Sequence, residues 1–241
     1  MKYAIIADIH ANLEAFQTVL EDIKAQNCTH TACLGDVVGY NANPKECLDI
    51  VRAMNVPVVK GNHDEYCSTE NDLEGFNPHA AEAINWTRDQ LTPEDRQWLR
   101  DLKYIRLVTS FTLVHATLDQ PQRWGYVFDR LAAAASFTYQ NTAICFFGHT
   151  HVPLAFVKDA GQVKGGTYSK FKIEAGKKYF INVGSVGQSR DGVPKATYVV
   201  YDMQEQSIEL RRLDYDMGTT QKKILDAGLP PRLAERLALG R

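Results

Sequence analysis

The chain has 241 residues, of which 44% are hydrophobic and 23% charged, a composition that argues against disorder and collagen-like structure. Its 27 Lys and Arg are balanced by 29 Asp and Glu, and the formal net charge of −2 argues against a general nucleic-acid binder. No apolar run approaches the roughly 18 residues of a membrane span, and the five cysteines include no Cys-x-x-Cys pair. We therefore expect a cytoplasmic protein without a disulfide framework and without membrane partners.

The first sixty residues alternate between short apolar runs and stretches with helical spacing. Three runs are too short for helices and indicate buried strands, at 3–7, 31–34 and 57–59. One helix is expected after Asn12, a favourable N-cap, and another from Pro44, which suits the first helical turn. This order predicts a β-α-β-α-β unit with parallel strands and right-handed crossovers, and therefore the α/β class.

Residues from about 65 to 103 differ from the segments around them. Two stretches of helical spacing, at 78–91 and 93–102, predict a helical insertion that returns to a sheet at 105–108. Beyond the insertion one helix is expected at 131–139, and the rest of the chain is mainly strand. Some of these strands alternate apolar and polar residues, as antiparallel strands with one solvent-exposed face do. These further strands are expected at 112–115, 143–147, 154–157, 168–173, 179–183, 196–202 and 207–213.

The last part of the chain, at about 217–241, predicts two short amphipathic helices separated by Gly228 and the pair Pro230-Pro231. Their apolar faces could pack on the domain or form a contact in a homo-oligomer, and the sequence leaves both open. Because there is no internal repeat and no clear linker, residues 1–241 are expected to form one domain that carries the insertion and this tail.

Five short segments rich in Asp, His and Asn each follow an expected strand. They are Asp8-Ile9-His10, Gly35-Asp36, Gly61-Asn62-His63-Asp64, His115 and Gly148-His149-Thr150-His151. Functional groups gather at the carboxyl edge of an α/β sheet, so these side chains are expected to meet there. We further expect that Asp8 with His10, and His149 with His151, lie on extended backbone, where i and i+2 side chains share a side. Carboxylates and imidazoles suit divalent first-row metals, and seven such ligands fit two ions that share a bridging carboxylate.

In this order the five motifs resemble those of the calcineurin-like metallophosphoesterase superfamily, and most of all its small bacterial and archaeal phosphodiesterase-like members. The motifs span residues 8 to 151, and as an ordered set they are specific. The resemblance implies a two-layer β-sandwich of mixed parallel and antiparallel sheets flanked by helices. It also implies two divalent transition-metal ions, drawn from Mn, Fe, Ni, Co and Zn.

The resemblance assigns a role to each motif residue. Seven residues would hold the metals: Asp8, His10 and His151 the first, Asn62, His115 and His149 the second, and Asp36 both. A hydroxide between the metals would attack phosphorus in line. His63 would protonate the leaving oxygen, and Asp64 would orient His63.

Other residues are candidate substrate contacts. Asn12 either caps the helix that follows it or presents its amide to the substrate. Arg190 stands in a Gly-rich turn, in a segment that resembles one brought close to the metals in small family members. Its planar guanidinium could hold a phosphate oxygen or lie on the surface. Three aromatic residues could stack on a base or leaving group, or pack at the rim: Tyr40, Trp124 and Tyr126.

The sequence departs from two subgroups of the superfamily. Serine/threonine phosphatases and symmetrical diadenosine tetraphosphate hydrolases continue the second motif as Gly-Asp-x-x-Asp-Arg-Gly and end the third in Glu. Here Asp36 is followed by Val37-Val38-Gly39-Tyr40, and the third motif ends in Asp64, so the arginine that clamps phosphate in those groups is missing. We therefore expect a hydrolase of phosphodiesters or small phosphoesters. A nucleotide-directed hydrolase is the alternative, and the full set of ligands argues against a non-catalytic scaffold.

Overall fold

Two β-sheets lie face to face in the computed structural model, which describes all residues from Met1 to Arg241. The strands are β1 (Lys2–Ile6), β2 (His30–Cys33), β3 (Ile105–Val108), β4 (Phe111–Val114), β5 (Ile144–Phe147), β6 (Ala155–Asp159), β7 (Gln162–Gly166), β8 (Lys170–Lys172), β9 (Lys178–Asn182), β10 (Ala196–Asp202) and β11 (Ser207–Leu213). The helices are α1 (Leu13–Ala25), α2 (Pro44–Met54), α3 (Asn62–Ser68), α4 (Pro78–Gln90), α5 (Pro93–Arg100), α6 (Arg130–Tyr139), α7 (Met217–Asp226) and α8 (Pro231–Leu239).

The first sheet has the order β2-β1-β10-β11-β8 and the second the order β3-β4-β5-β9-β6-β7. Strand β1 pairs with β2 in parallel, and β5 pairs in parallel with both β4 and β9. The remaining neighbours are antiparallel. The expected sandwich of mixed sheets flanked by helices is therefore confirmed.

Strand β1 shows how the sequence builds the layers. Its side chains alternate between two faces because the period of a strand is two residues. Ile5 is fully buried between the sheets, where it belongs to the same apolar cluster as Phe146 of β5. Ile6 points to the other face and belongs to a cluster with Phe16 of α1 and Leu48 of α2. Burying each such side chain contributes about 1.5–3 kcal/mol, so both faces of the sheet must be covered.

The outer face of the second sheet is covered by α6. Phe147 of β5 and Phe180 of β9 stack at 4.1 Å between ring centroids, and Phe137 of α6 packs on them. Helix α6 begins where expected because the Asp129 carboxylate accepts hydrogen bonds from the backbone N–H groups of Leu131 and Ala132.

Three segments differ from the sequence expectations, and one of them is helix α3, for which no helix is expected at 62–68. Residues 57–59 form single parallel bridges, Cys33 with Val58 and Val59 with Lys103, in place of a full strand. Pro57 has no N–H to extend the ladder. Strand β7 was not expected, because its side chains are mostly exposed and lack an apolar pattern. It pairs with β6 through a turn in which Ala160 and Gly161 both have positive φ, as a two-residue hairpin turn requires.

The tail helices pack on the rest of the chain. Ile224 of α7 and Leu233 and Leu237 of α8 are buried in one cluster with Ala83 of α4 and with Tyr40. Their apolar face is therefore covered within the chain. None of the eight helices combines the length and the apolar composition that crossing a membrane requires.

Candidate metal centre

The loops after four strands, two from each sheet, converge at one edge of the sandwich. Asp8 follows β1 and Asp36 follows β2, and the backbone N–H of His10 donates to the carbonyl of Asp36 at 2.9 Å. His115 follows β4 and His149 follows β5, and the N–H of Gly148 donates to the carbonyl of His115 at 2.9 Å. The N–H of His149 donates to the Asp8 carboxylate at 3.0 Å and joins the two pairs of loops, so that residues distant in sequence share one crevice.

The backbone beneath the ligands is left-handed. Positive φ angles of 48° to 66° occur at five of the seven predicted ligands: Asp8, His10, Asp36, His149 and His151. The expectation of extended backbone at the two i, i+2 pairs is therefore wrong. Each such residue costs about 1–3 kcal/mol of strain, which persists only where the surrounding contacts enforce it. Strain concentrated on one set of polar residues is typical of a functional site.

Two glycines make room for the carboxylates. A side chain at position 148 would bring its Cβ within 2.5 Å of an Asp8 carboxylate oxygen, and one at position 61 within 2.1 Å of Asp36 Oδ1. No side chain fits at these distances. Gly61 and Gly148 therefore allow the backbone to approach the carboxylates closely, in addition to turning the chain.

The ligand atoms form two groups that share one residue. In the first group the candidate atoms of Asp8, His10, Asp36 and His151 all lie within 4.8 Å of one another. The second group meets the same limit and contains Asp36, His115 and His149. All of these side chains are buried. Asp36 belongs to both groups, which is the arrangement expected of a bridging carboxylate.

Hydrogen bonds fix the protons of the first pair of imidazoles. His10 Nδ1 donates to the carbonyl of Val38 at 3.1 Å, and His151 Nδ1 donates to that of Gln188 at 2.6 Å. Because a carbonyl can only accept, each neutral ring carries its proton on Nδ1 and a lone pair on Nε2. The two Nε2 atoms lie 3.1 Å apart, and His151 Nε2 lies 3.4 Å from a carboxylate oxygen of Asp8. Lone pairs and carboxylates crowded in this way repel one another, and a divalent cation among them removes the repulsion.

The second group is oriented in the same manner. His115 Nδ1 donates to the carbonyl of Leu34 at 2.7 Å, and His149 Nε2 donates to that of Trp124 at 2.8 Å. His115 Nε2 lies 3.4 Å from the Asp36 carboxylate and 3.2 Å from Asn62 Oδ1. The donor set in both groups is carboxylate, imidazole and amide oxygen, which fits divalent transition metals.

Burial and mutual charge shift the pKa values in the cluster. Burial raises the pKa of Asp8 to about 7, although the nearby His115 acts in the opposite direction. Burial acts likewise on Asp36, but the charge and hydrogen bond of His115 hold its pKa well below the usual range. His115 has a pKa of about 9, because the Asp36 carboxylate outweighs burial. Burial lowers the pKa of the other three imidazoles and keeps them neutral, as metal ligands must be: His10, His149 and His151.

His63 lies beside the cluster at the beginning of α3. Its backbone N–H donates to Asp36 Oδ1 at 2.8 Å, and its ring lies 4.8 Å from that of His10 and 4.3 Å from that of Tyr40. Its Nδ1 is buried without a hydrogen-bond partner. Burial lowers the pKa of His63 to about 4. Nδ1 faces Gly39, where an added Cβ would lie 2.5 Å from it, so packing holds the ring on that side. Nε2 is not enclosed in this way and is the nitrogen that can exchange a proton.

Asp64 does not contact the His63 ring, so the expectation that it orients His63 by a hydrogen bond is wrong. Its carboxylate accepts from the backbone N–H groups of Asp36 and Val37, both at 2.8 Å, and of Gly61 at 3.0 Å. Its three hydrogen bonds all come from backbone amides, and none comes from the imidazole. Asp64 instead ties the loop that carries Asp36 to the loop that carries Asn62.

Of the two candidate substrate contacts, Asn12 lies outside the crevice and Arg190 lines it. Asn12 is fully buried, and its Oδ1 accepts from the N–H of Ala15 while its Nδ2 donates to the carbonyl of Gly187. It is a helix cap, and its alternative role as a substrate contact is wrong because both ends of the amide are used. Arg190 lines the crevice of the cluster, and its guanidinium donates to Tyr40 Oη at 3.3 Å.

The crevice above the cluster has a volume of about 270 Å³. Arg190 Nε is buried there without a partner. Tyr126 stacks on the His149 ring at 4.3 Å, and Trp124 meets the His115 ring edge-on at 5.8 Å. The aromatic residues therefore pack on the imidazoles and form the rim.

Some residues of the site had no sequence signal. The carbonyls of Val38, Gln188, Leu34 and Trp124 set the imidazole tautomers, but every residue has a carbonyl, so only the fold identifies them. The insertion also lines the crevice with residues that no sequence motif predicts: Tyr66, Gly75, Phe76, Asn77 and Ala80.

Comparison with known proteins identifies the family. The chain matches the calcineurin-like phosphoesterase superfamily domain over residues 1–206. It is 38% identical over 246 residues to an uncharacterized protein of Methanocaldococcus jannaschii, covering 99% of this chain and 98% of that protein. The crystal structure of a metallophosphoesterase from Sphaerobacter thermophilus is similar with a TM-score of 0.88 and 37% identity, covering 100% of this chain and 99% of that chain. The chain therefore belongs to the calcineurin-like phosphoesterase superfamily.

A second solved structure is similar in fold alone. A hypothetical protein from Pyrococcus horikoshii OT3 has a TM-score of 0.81 at 18% identity, covering 100% of this chain and 98% of that chain. The motif resemblance of the sequence is thus confirmed at the level of the family. Members of this family bind divalent metals, and the buried Asp and His cluster is the site suited to them here.

Proposed function

We propose that the protein is a metal-dependent phosphoesterase that hydrolyses phosphodiesters or small phosphoesters at this cluster. The observation that carries the proposal is the opposed pair of unprotonated nitrogens, His10 Nε2 and His151 Nε2, 3.1 Å apart beside two carboxylates. Membership of the family supports the reaction class, a phosphoester hydrolysis.

The position of Asp36 supports two metal ions. Its Oδ2 lies 3.5 Å from His10 Nε2 in the first group and 3.4 Å from His115 Nε2 in the second. Asp8, His10 and His151 would hold one ion and Asn62, His115 and His149 the other. Mn, Fe, Ni, Co and Zn all suit these donors. When bound, a pair of such ions supplies a nucleophilic hydroxide at neutral pH and neutralises charge on the phosphate.

His63 is the candidate general acid. Its Nδ1 is enclosed by Gly39, and its ring lines the crevice between His10 and Tyr40, so Nε2 is the nitrogen that can reach the substrate. A phosphate anion bound beside the ring favours the protonated imidazole, because an opposite charge stabilises the charged form. The proton can then pass to the leaving oxygen as the ester bond breaks. Asp64 contributes indirectly by fixing the loops on either side.

Arg190 is the candidate phosphate clamp. It replaces in function the arginine that related subgroups carry in their second motif, but it reaches the crevice from the turn after β9. Its unpartnered Nε and its planar donors suit two oxygens of one phosphate. A guanidinium in this place binds the substrate in both the ground and the transition state.

A nucleotide substrate is the second candidate, and one observation favours it. Tyr126 is 55% exposed, stacks on the His149 ring and lies parallel to Phe128 at 5.7 Å. An exposed aromatic face next to the catalytic cluster is suited to a nucleobase. A protein substrate fits less well, because the insertion walls the crevice with Tyr66 and Phe76.

A substrate panel tests the proposal. Bis-p-nitrophenyl phosphate, p-nitrophenyl phosphate and diadenosine tetraphosphate are compared with the same metal-loaded protein, and Asp36→Asn serves as the control without a bridging ligand. We expect the diester to be hydrolysed faster than the monoester, and Asp36→Asn to be inactive on all three. Preference for the tetraphosphate would select the nucleotide alternative. Failure to hydrolyse any of them with Mn, Fe, Ni, Co or Zn would contradict the proposal.

A further inference from the structure

A second cavity opens beside the metal centre, next to α8. Its volume is about 380 Å³, and it shares Tyr40, Tyr126 and Arg190 with the crevice of the metal centre. Its other wall comes from α8 and the beginning of α4. The two cavities therefore adjoin at the shared residues, close enough for one ligand to reach both.

The wall of this cavity is strongly basic. Four arginines line it against a single carboxylate, that of Glu235: Arg190, Arg232, Arg236 and Arg241. None of the four pairs with a side-chain carboxylate. Arg190 donates to Tyr40 Oη and to the Gln188 side chain, and Arg236 donates to the main-chain oxygen of Arg241. A concentration of guanidinium groups that have no side-chain carboxylate partner, in one concave surface, indicates an anionic ligand.

Tyr40 connects the basic wall to the metal centre. The Arg190 and Arg236 guanidinium carbons lie 5.6 Å and 5.8 Å from its ring centroid, and the ring itself lies 4.3 Å from that of His63. Burial lowers the pKa of Arg236, and the positive charges of Arg190 and Arg232 lower it further. Like charges held on one aromatic ring repel each other, and a bound anion relieves that repulsion.

Folding stability does not account for this arrangement. Arg232 stands in the first turn of α8, where the helix dipole is unfavourable to a cation, and no acidic residue compensates it there. Its side chain is exposed and makes no hydrogen bond within the chain. A charge placed against the helix dipole and left unpaired is better explained by a ligand than by the helix.

We propose that this cavity binds a second phosphate group of the substrate while the first lies at the metal centre. The inference rests on the proposed function, because it takes the metal centre to hold the reacting phosphate. The second phosphate belongs either to a separate ester on the same molecule or to the same polyphosphate chain. Helix α8 is then part of the substrate site and selects for doubly phosphorylated compounds.

Binding measurements test the inference apart from catalysis. The Mn²⁺-loaded protein is titrated calorimetrically with thymidine 5′-monophosphate, thymidine 3′,5′-bisphosphate and thymidine 5′-diphosphate. We expect one doubly phosphorylated ligand to bind about tenfold more tightly than the monophosphate or better, since hydrogen bonds to charged groups are strong. The double variant Arg232→Ala/Arg236→Ala should lose most of that preference while its affinity for the monophosphate changes little.

Arg106→Ala is the matched control, because it removes the same charge from an exposed position on β3 that lines neither cavity. If the double variant does not fold, the exposed single variant Arg232→Ala gives the same comparison with a smaller loss. A preference that is lost in the arginine variants and kept in Arg106→Ala supports the inference. Preference for the 3′,5′-bisphosphate would indicate a separate ester, and preference for the 5′-diphosphate a polyphosphate chain. An equal preference in the wild type, the arginine variant and Arg106→Ala would overturn the inference. Hydrolysis of bis-p-nitrophenyl phosphate is assayed in parallel, so that a failure of the proposed function is seen separately from a failure of phosphate selection.

Discussion

His10 Nε2 and His151 Nε2 lie 3.1 Å apart although neither carries a proton, since each ring donates from Nδ1 to a backbone carbonyl. Two acceptors at hydrogen-bond distance with no hydrogen between them are an unfavourable pair in a buried site. The surrounding fold maintains this pair, together with the carboxylates of Asp8 and Asp36. That cost makes sense if a cation is bound there in the working protein.

Metal binding should therefore stabilise the chain, and His151 should be required for it. Adding Mn²⁺ raises the Tm of the wild type, because a ligand that binds only the native state stabilises it. In His151→Gln the rise should be much smaller, because one ligand is lost. His30→Gln is the matched control, since His30 is exposed on β2 and outside the cluster. An equal rise in both variants, measured by thermal denaturation, would exclude His151 as a ligand.

His63 should affect turnover and leave metal binding intact. In His63→Asn we expect kcat to fall by about 10²–10⁴-fold, the usual contribution of a general acid, on substrates with a poor leaving group. The fall should be smaller with p-nitrophenolate as leaving group, because that anion needs little protonation. Steady-state kinetics on both substrate types and metal analysis of the variant check this. Unchanged kcat on the poor leaving group would remove His63 from the mechanism.

Asp64 should act through stability, because its partners are backbone amides. Asp64→Asn places an amide N–H₂ against N–H donors, and an unsatisfied buried donor costs about 1–3 kcal/mol. We expect the free energy of unfolding to fall by that amount in urea denaturation, and metal to be retained less well because the Asp36 loop loosens. Should the variant keep its stability and lose as much kcat as His63→Asn, a direct action of Asp64 on His63 would be the better explanation.

Asp22 should make stability depend on pH away from the metal centre. Burial disfavours its ionised form, but hydrogen bonds from Arg211 and Tyr198 outweigh this and lower its pKa below 3.8. A carboxyl whose pKa is lower in the folded state stabilises the fold above the unfolded pKa, and this stability is lost as pH falls through the folded pKa.

The test is Asp22→Asn in urea denaturation. At about pH 7 the variant should be less stable than the wild type, by roughly 1 kcal/mol or less because the pair is partly exposed and screened. At about pH 3 or below the difference should shrink. A difference that stays constant between the two pH values would show that the carboxylate charge is not what stabilises this contact.

Much of the architecture could be predicted from local pattern. The apolar run of β1 and the Asn12 cap of α1 depend on neighbouring residues, so the sequence alone defines them. The order of the motifs likewise indicated which side chains would gather. Each of these features depends either on residues close together in the sequence or on the order of the motifs along the chain.

What could not be predicted depends on contacts between distant loops. The positive φ of Asp8 and His10 is enforced by bonds to the loop of Asp36, and no local pattern encodes it. The partners of Asp64 include the amide of Asp36, 28 residues away. The basic cavity arises only when α8 docks beside Tyr40. The cytoplasmic location and the oligomeric state stay predictions.

The most direct test of the dinuclear phosphoesterase is a metal titration followed by activity. Protein stripped of metal is supplied with increasing Mn²⁺, and hydrolysis of bis-p-nitrophenyl phosphate is measured together with the metal bound per chain. We predict no hydrolysis in the stripped protein and full activity when about two ions are bound per chain. Full activity with one ion bound, or hydrolysis that persists without any, would contradict it.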